Sequence, residues 1–271
     1  MKSEARPDLI LVVGNWCLAR IVLLFRISGI ITQALRQSLF SPVLRNPAVR
    51  SVLMRQIYFT GFEAWKIIVI IALILGTVII SQVVGLVGGG NGSLPGKVLV
   101  WVVFRELAPL ITALIVIARS GTAIATELGS MKINGEMESL DLMGIDSERY
   151  LILPRITGVA ASVMILTAYF VLTAFVGSFL ISSIGFWQIP YDQFLQGIAA
   201  SLGIREVFIL TLKTIFFGLV IPSICCHYGL SVGTSATEIP QAATKAVITS
   251  IFSVFILDGV ITFAVTLVSS I

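Results

Sequence analysis

The chain has 271 residues, of which 57% are hydrophobic and 12% are charged, with 18 Lys and Arg against 14 Asp and Glu. Soluble domains usually carry about 25% charged residues, so this composition excludes a soluble globular enzyme, a disordered chain and a nucleic-acid-binding module as first interpretations. It predicts an all-α polytopic membrane protein, since each helix that crosses a bilayer needs roughly 20 mainly apolar residues.

The N-terminal region is basic, because eight of the 18 Lys and Arg residues fall within residues 1–60. The apolar stretch 9–39 is interrupted by Arg20 and Arg26, and most of its polar residues fall on one arc of a helix. This pattern favours an amphipathic helix lying in the membrane interface. A first membrane span with a snorkelling arginine is the alternative. The basic charge also predicts a cytoplasmic N-terminus.

Five apolar stretches follow, each long enough to cross a bilayer. The third holds about 30 residues, more than one crossing needs, so it must tilt or project. With a cytoplasmic N-terminus, the loops 119–150 and 228–241 are expected inside and the C-terminus outside. The predicted spans are 65–87, 97–118, 152–184, 205–227 and 242–268.

Four charged residues interrupt these spans: Arg105, Glu106, Lys213 and Asp258. A charge at a helix centre costs about 2.5–3.5 kcal/mol on insertion scales, so these side chains should face a protein interior or a wet cavity. At a rise of 1.5 Å per residue they lie at one level, about 12–15 Å from the outer ends of their helices. A structural ion-pair network and a cavity that binds the headgroup of an amphiphile both remain open and are compatible. Pro109 favours the cavity weakly, because it frees a backbone carbonyl and bends its helix.

The segment 119–150 separates the second and third spans. Residues 119–131 are expected to continue the second span out of the bilayer, and Asn134 is a candidate N-cap for a short helix that ends at Gly144. Met137, Leu140 and Met143 recur on one face of this helix. Because such a helix is too short to be stable alone, it indicates a docking element for a partner, and an ordinary surface helix is the alternative.

No motif in the chain predicts a nucleotide, metal or catalytic site. The glycine-rich run 88–97 fails as a phosphate-binding loop, because Asn91 stands where glycine is needed and Val98 where Ser or Thr is needed. Three cysteines and one histidine do not have the spacing of metal ligands. We therefore expect no metal, no cofactor and no enzymatic activity, and energy for any transport must come from another subunit.

The segment 104–156 carries a recognisable pattern, FRELAPLITALIVIARSGTAIATELGSMKINGEMESLDLMGIDSERYLILPRI. It resembles the MlaE/YrbE family of ABC-transporter permeases, which includes the chloroplast lipid-import permease. A weaker similarity covers nearly the whole chain, including Lys213 and the sequence LDG at 257–259.

The resemblance implies a single permease domain over 1–271. No Arg- and Ser-rich transit peptide is recognised, which favours a bacterial inner membrane over an organelle envelope. The basic N-terminus is then cytoplasmic and the C-terminus periplasmic. The resemblance also implies a second copy of the chain, two copies of an ABC ATPase subunit and an MCE-domain protein as partners. Phospholipid would move between the inner membrane and the periplasm or outer membrane, and no nucleic acid is involved.

The family's functional positions carry over by residue. The lipid-binding positions match Arg105, Glu106, Lys213 and Asp258, and the ATPase-coupling positions match Glu127, Gly129, Met137, Leu140 and Met143 within or near the 134–144 helix. An ion- or proton-coupled secondary transporter that uses the same charges is the alternative function. Such transporters typically show inverted repeats with broken helices, and none is visible in the sequence. A membrane scaffold with structural ion pairs is a third hypothesis.

Overall fold

The computed structural model describes residues 47–87, 93–184 and 191–269, together with Gly29 and Thr32. All regular structure in these ranges is helical, which confirms the predicted all-α class. The predicted interfacial helix 9–39 lies outside the described residues, apart from those two positions, and stays a prediction.

Ten α-helices are described, and three π-helical turns join some of them into longer helices. The π-helical turns are Tyr58–Phe62, Val100–Leu107 and Ile117–Gly121. The α-helices are α1 Pro47–Ile57, α2 Trp65–Val87, α3 Leu94–Leu99, α4 Ala108–Val116, α5 Thr122–Ile133, α6 Glu136–Leu142, α7 Ser147–Ile184, α8 Tyr191–Ser201, α9 Ile204–Leu230 and α10 Glu238–Ser269.

Within the described ranges, five helical stretches are long and apolar enough to cross a bilayer, so the chain is a multi-pass membrane protein. The predicted number of spans is confirmed. The predicted first span, 65–87, coincides with α2. The candidate span begins earlier, at Val49, because α1, a π-helical turn and the turn residues Glu63 and Ala64 lead directly into α2. The second span continues past residue 118, as predicted. The spans are span 1 Val49–Leu86, span 2 Leu94–Ile133, span 3 Tyr150–Leu180, span 4 Ile204–Leu230 and span 5 Glu238–Val268.

Span 3 packs against both span 1 and span 4. Spans 1 and 3 run in the same direction, since Gly61 lies beside Ser162 and Gly76 lies beside Ala174. At the crossing of spans 3 and 4, a Cβ atom on Gly218 would lie 2.6 Å from the Cα of Ala160, so only glycine fits there. Span 4 also packs on spans 2 and 5, which brings three charge-bearing helices together.

The two ends of the bundle differ in character. We call the end that carries α6 the acidic end, because α6 contributes Glu136, Glu138 and Asp141. At the opposite end, α8 packs across α3. The sequence indicated only an aromatic interfacial segment at 185–204 and did not predict α8.

Candidate functional site

The four charged residues of spans 2, 4 and 5 meet in one group, which we call the Lys213 cluster (Arg105, Glu106, Lys213 and Asp258). The Nζ of Lys213 is fully buried and lies 2.6 Å from Oε2 of Glu106 and 2.8 Å from Oδ1 of Asp258. The structure therefore places all four predicted residues together. Lys213 donates a hydrogen bond to Glu106 and forms an ion pair with Asp258, so two carboxylates compensate its charge.

Lys213 also donates a hydrogen bond to a backbone carbonyl. Pro109 has no N–H, so the carbonyl of Arg105, four residues earlier, lacks its usual helical partner. Nζ of Lys213 donates to that carbonyl at 3.2 Å. The sequence analysis predicted that Pro109 frees a backbone carbonyl, and this is the carbonyl that accepts the hydrogen bond from Lys213. Arg105 and Glu106 also lie in the π-helical turn Val100–Leu107, a distortion that is frequent at functional sites.

Arg105 and Glu106 form the accessible side of the Lys213 cluster. Their side chains are 21% and 30% exposed, and Nε of Arg105 lies 3.3 Å from Oε1 of Glu106. The hydroxyl of Thr262 donates to Oε1 and Oε2 of Glu106 at 3.2 and 3.3 Å. Sequence reasoning missed Thr262, although it lies one turn beyond Asp258 on the same helix face. In this conformation Arg105 is the cation that a ligand can reach, and Lys213 holds the carboxylates.

Helix α6, at the acidic end, is shorter than the predicted 134–144 segment. The prediction that Asn134 is its N-cap was wrong, because Asn134 ends α5 and Gly135, with φ of 69°, occupies the cap position. The predicted stop at Gly144 holds. Its N–H bonds the carbonyl of Asp141, the N–H of Ile145 bonds the carbonyl of Leu140, and φ is 75°. This is a Schellman motif, so glycine fixes both ends of α6.

The apolar side chains of α6 divide into two groups. Met137 and Leu140 are half-buried and pack against the bundle's own core. Met143 is 66% exposed, and Leu142, which the sequence pattern did not single out, is 89% exposed. Of the predicted face of Met137, Leu140 and Met143, only Met143 is therefore exposed. The side chains that remain available to a partner are Leu142 and Met143, which we call the α6 tip.

The other two predicted coupling residues lie on α5. Oε1 of Glu127 lies 2.8 Å from Nη2 of the buried Arg155, so an ion pair ties span 2 to span 3. A Cβ atom on Gly129 would lie 3.1 Å from Cγ2 of Val232 and 3.5 Å from Cγ1 of Ile239. Gly129 therefore lets span 2 approach the turn between spans 4 and 5. Sequence reasoning missed Arg155 as a partner of Glu127.

The described residues contain no group of three or more His, Cys, Asp or Glu side chains that could hold a metal ion. What the structure offers instead is a buried charge group inside the bundle and an exposed apolar tip at its acidic end. The first suits the contact of a polar headgroup, and the second suits docking of another protein.

Comparison with known proteins identifies relatives that align with this chain over most of both sequences. The Probable ABC transporter permease protein slr1045 of Synechocystis sp. is 30% identical over 218 residues, which cover 80% of this chain and 82% of that protein. The Intermembrane phospholipid transport system permease protein MlaE of Haemophilus influenzae is 27% identical over 235 residues, covering 83% and 87%.

A chloroplast protein is also similar over part of the chain. Protein TRIGALACTOSYLDIACYLGLYCEROL 1 of Arabidopsis thaliana is 30% identical over 166 residues, which cover 61% of this chain and 47% of that protein. The family model described as Permease MlaE matches residues 53–264. Because this match extends over well over half of the sequence and includes both candidate sites and most of each of the five spans, the chain belongs to the MlaE permease family.

Proposed function

We propose that this chain is the membrane-spanning subunit of an ABC transporter that moves phospholipid between a bacterial inner membrane and the periplasm or outer membrane. The observation that carries the proposal is the family match over residues 53–264. It is supported by the similarity to a permease named for intermembrane phospholipid transport. As a permease, the chain depends on a separate ATPase subunit for ATP hydrolysis.

The proposed assembly holds two copies of this chain, two ATPase subunits at the acidic end and an MCE-domain protein at the opposite end. The whole of 1–271 acts as one permease domain, with a cytoplasmic N-terminus and a periplasmic C-terminus. Large apolar side chains on span 5, such as Phe252, Phe255 and Phe263, are exposed in the single chain. They leave a surface that can be covered by lipid or by the second copy.

In this proposal the Lys213 cluster contacts the lipid headgroup through Arg105. Arg105 presents a partly exposed guanidinium, which suits phosphate because its N–H groups form a planar fork. Lys213 can contact the same phosphate only in a conformation in which Glu106 or Asp258 has moved away. Such a conformational difference is what coupling requires, because a lipid can shift the transporter only if its two states bind lipid unequally.

Coupling to the ATPase is assigned to the α6 tip together with Glu127 and Gly129. Leu142 and Met143 supply the apolar contact, while Met137 and Leu140 anchor α6 to the bundle. Force applied to α6 would then pass directly into α5, since only Asn134 and Gly135 separate the two helices.

Reconstitution tests the transport function. The chain is placed in proteoliposomes with its co-purifying ATPase and a fluorescent phospholipid, and lipid delivery to the MCE-domain protein is followed with and without ATP. We expect delivery that depends on ATP and on the ATPase. Transport by the chain alone, driven by an ion gradient, would support a secondary transporter instead.

The headgroup contact is tested by Arg105→Gln, measured as phospholipid molecules that co-purify with each folded complex. We expect a loss of about half or more with near-normal yield, because a partly exposed charge-assisted contact worth about 1.5–3 kcal/mol is removed. Arg205→Gln, which changes an exposed basic residue near the start of span 4, serves as the matched control. Equal lipid content in the two variants would remove Arg105 from the headgroup site.

A further inference from the structure

A second charged hollow lies at the acidic end, away from the Lys213 cluster. It is a cavity of about 390 Å³ between spans 1, 2 and 3, and its polar lining is Arg55, Gln56, Thr126, Glu127 and Arg155. Glu106 and Glu127 are both on span 2, so a rise of 1.5 Å per residue separates the two charge groups by roughly 30 Å. We call this hollow the Arg155 cavity.

Arg155 is a buried cation with limited compensation. Its Nη2 lies 2.8 Å from Glu127, whose side chain is 58% exposed, and its Nη1 donates to the carbonyl of Leu151 at 3.4 Å, a long hydrogen bond. Burial of a charge costs several kcal/mol unless its hydrogen bonding is good. The guanidinium at the wall of this cavity is therefore suited to an additional anionic partner.

Arg55 supplies a second cation to the same cavity. It is exposed, lines the hollow, and makes no ion pair or hydrogen bond with any residue in the described part of the chain. With Arg155 and Glu127, the formal charge of the lining is +1. Two arginines beside one carboxylate match a singly charged phosphodiester, since each guanidinium can form paired hydrogen bonds with phosphate oxygens.

The surroundings indicate that this phosphate belongs to a lipid. The Arg155 cavity lies between three membrane-spanning helices, and its apolar lining includes Val52, Phe59 and Ile124. Apolar side chains beside the two arginines favour a phosphate that carries hydrocarbon over free inorganic phosphate.

We propose that the Arg155 cavity binds the headgroup of one anionic phospholipid of the leaflet at the acidic end, with its phosphate between Arg55 and Arg155. This site is distinct from the Lys213 cluster and does not depend on the proposed transport function. The bound phosphate competes with Glu127 for Arg155, so occupancy loosens the ion pair between spans 2 and 3. Lipid at this site therefore alters the helix that leads to α6.

The test is native mass spectrometry of the full chain titrated with phosphatidylglycerol. Arg55→Gln should weaken binding about tenfold, which corresponds to 1.4 kcal/mol, and Lys245→Gln, an exposed basic residue outside the cavity, should leave it unchanged. Glu127→Gln should strengthen binding severalfold, because it removes the competing carboxylate. A purely structural Glu127–Arg155 pair would not produce that gain.

Two further probes identify the source of the phosphate. Diacylglycerol, which has the chains without the headgroup, should bind much more weakly than phosphatidylglycerol, and inorganic phosphate should not displace the lipid. Displacement by inorganic phosphate would make this a free-anion site and overturn the lipid assignment. Equal binding of diacylglycerol, or unchanged binding by Arg55→Gln, would overturn the role of the arginines.

Discussion

Lys213 shows how a charge can be kept inside a membrane protein. Its ammonium group is fully buried and contacts Glu106, Asp258 and the carbonyl freed by Pro109. Each partner comes from a helix that packs on span 4, so one side chain joins three spans. Removal of one member of a buried pair is more damaging than removal of both, because the remaining charge is left without compensation.

Lys213→Met is therefore expected to destabilise the folded chain by about 3–5 kcal/mol, since Asp258 then loses its cation and faces the carboxylate of Glu106, which keeps Arg105 as its cationic partner. The measurement is the fraction of monodisperse protein after detergent extraction, followed against temperature. The double variant Lys213→Met with Asp258→Asn should recover much of the loss. If the double variant is no more stable than the single one, compensation of charge is not what Lys213 provides.

At the scale of the helices, α6 is a short helix that has a glycine at each boundary and packs one face against the bundle. Gly135 and Gly144 provide the left-handed residues at its boundaries, and Met137 and Leu140 fix its inner face. The exposed Leu142 cannot be explained by the chain's own packing. An exposed leucine at the tip of an anchored helix is what a docking contact needs.

Leu142→Asp should weaken association with the ATPase subunit at least tenfold while membrane insertion survives. Burial of a leucine is worth about 1.5–3 kcal/mol, and a polar replacement forfeits that contact. The readout is pull-down of the ATPase by the tagged permease. Ile204→Asp, an equally exposed apolar residue at the opposite end, is the control. Unchanged pull-down by Leu142→Asp would contradict the docking role.

The elements differ in how far they could be predicted. The level shared by Arg105, Lys213 and Asp258 followed from helix rise and from the cost of charge in a bilayer, and the structure confirms that they meet. The ion pair of Glu127 with Arg155 could not be predicted from the sequence, because it joins two helices whose rotation about their axes is set by packing. The π-helical turns, which have no clear signature in residue type, were also missed.

For the whole molecule, the bundle has two chemically different ends, and the proposed orientation assigns the acidic one to the cytoplasm. Gly203 lies at the opposite end and Thr234 lies in the turn at the acidic end, and both are exposed. Cys225 and Cys226 are buried, so they should not react with a membrane-impermeant thiol reagent. These positions allow the orientation to be measured directly.

In a Cys17→Ser background, Gly203→Cys should react with the impermeant reagent as soon as the outer membrane is made permeable. Thr234→Cys should react only after the inner membrane is broken. At least a tenfold difference in labelling before lysis is expected, since the reagent cannot cross the inner membrane. The reverse pattern would place the acidic end outside and would separate α6 from any cytoplasmic ATPase.

Span 2 is long enough to act as a lever. Its 40 residues measure about 60 Å at 1.5 Å per residue, roughly twice the thickness of the hydrocarbon core. A tilt of about 10° around its middle displaces each end by about 5 Å. Arg105 and Glu127 both lie on span 2. A force applied to span 2 at the acidic end therefore moves both residues relative to the neighbouring spans, without a chain of separate contacts between them.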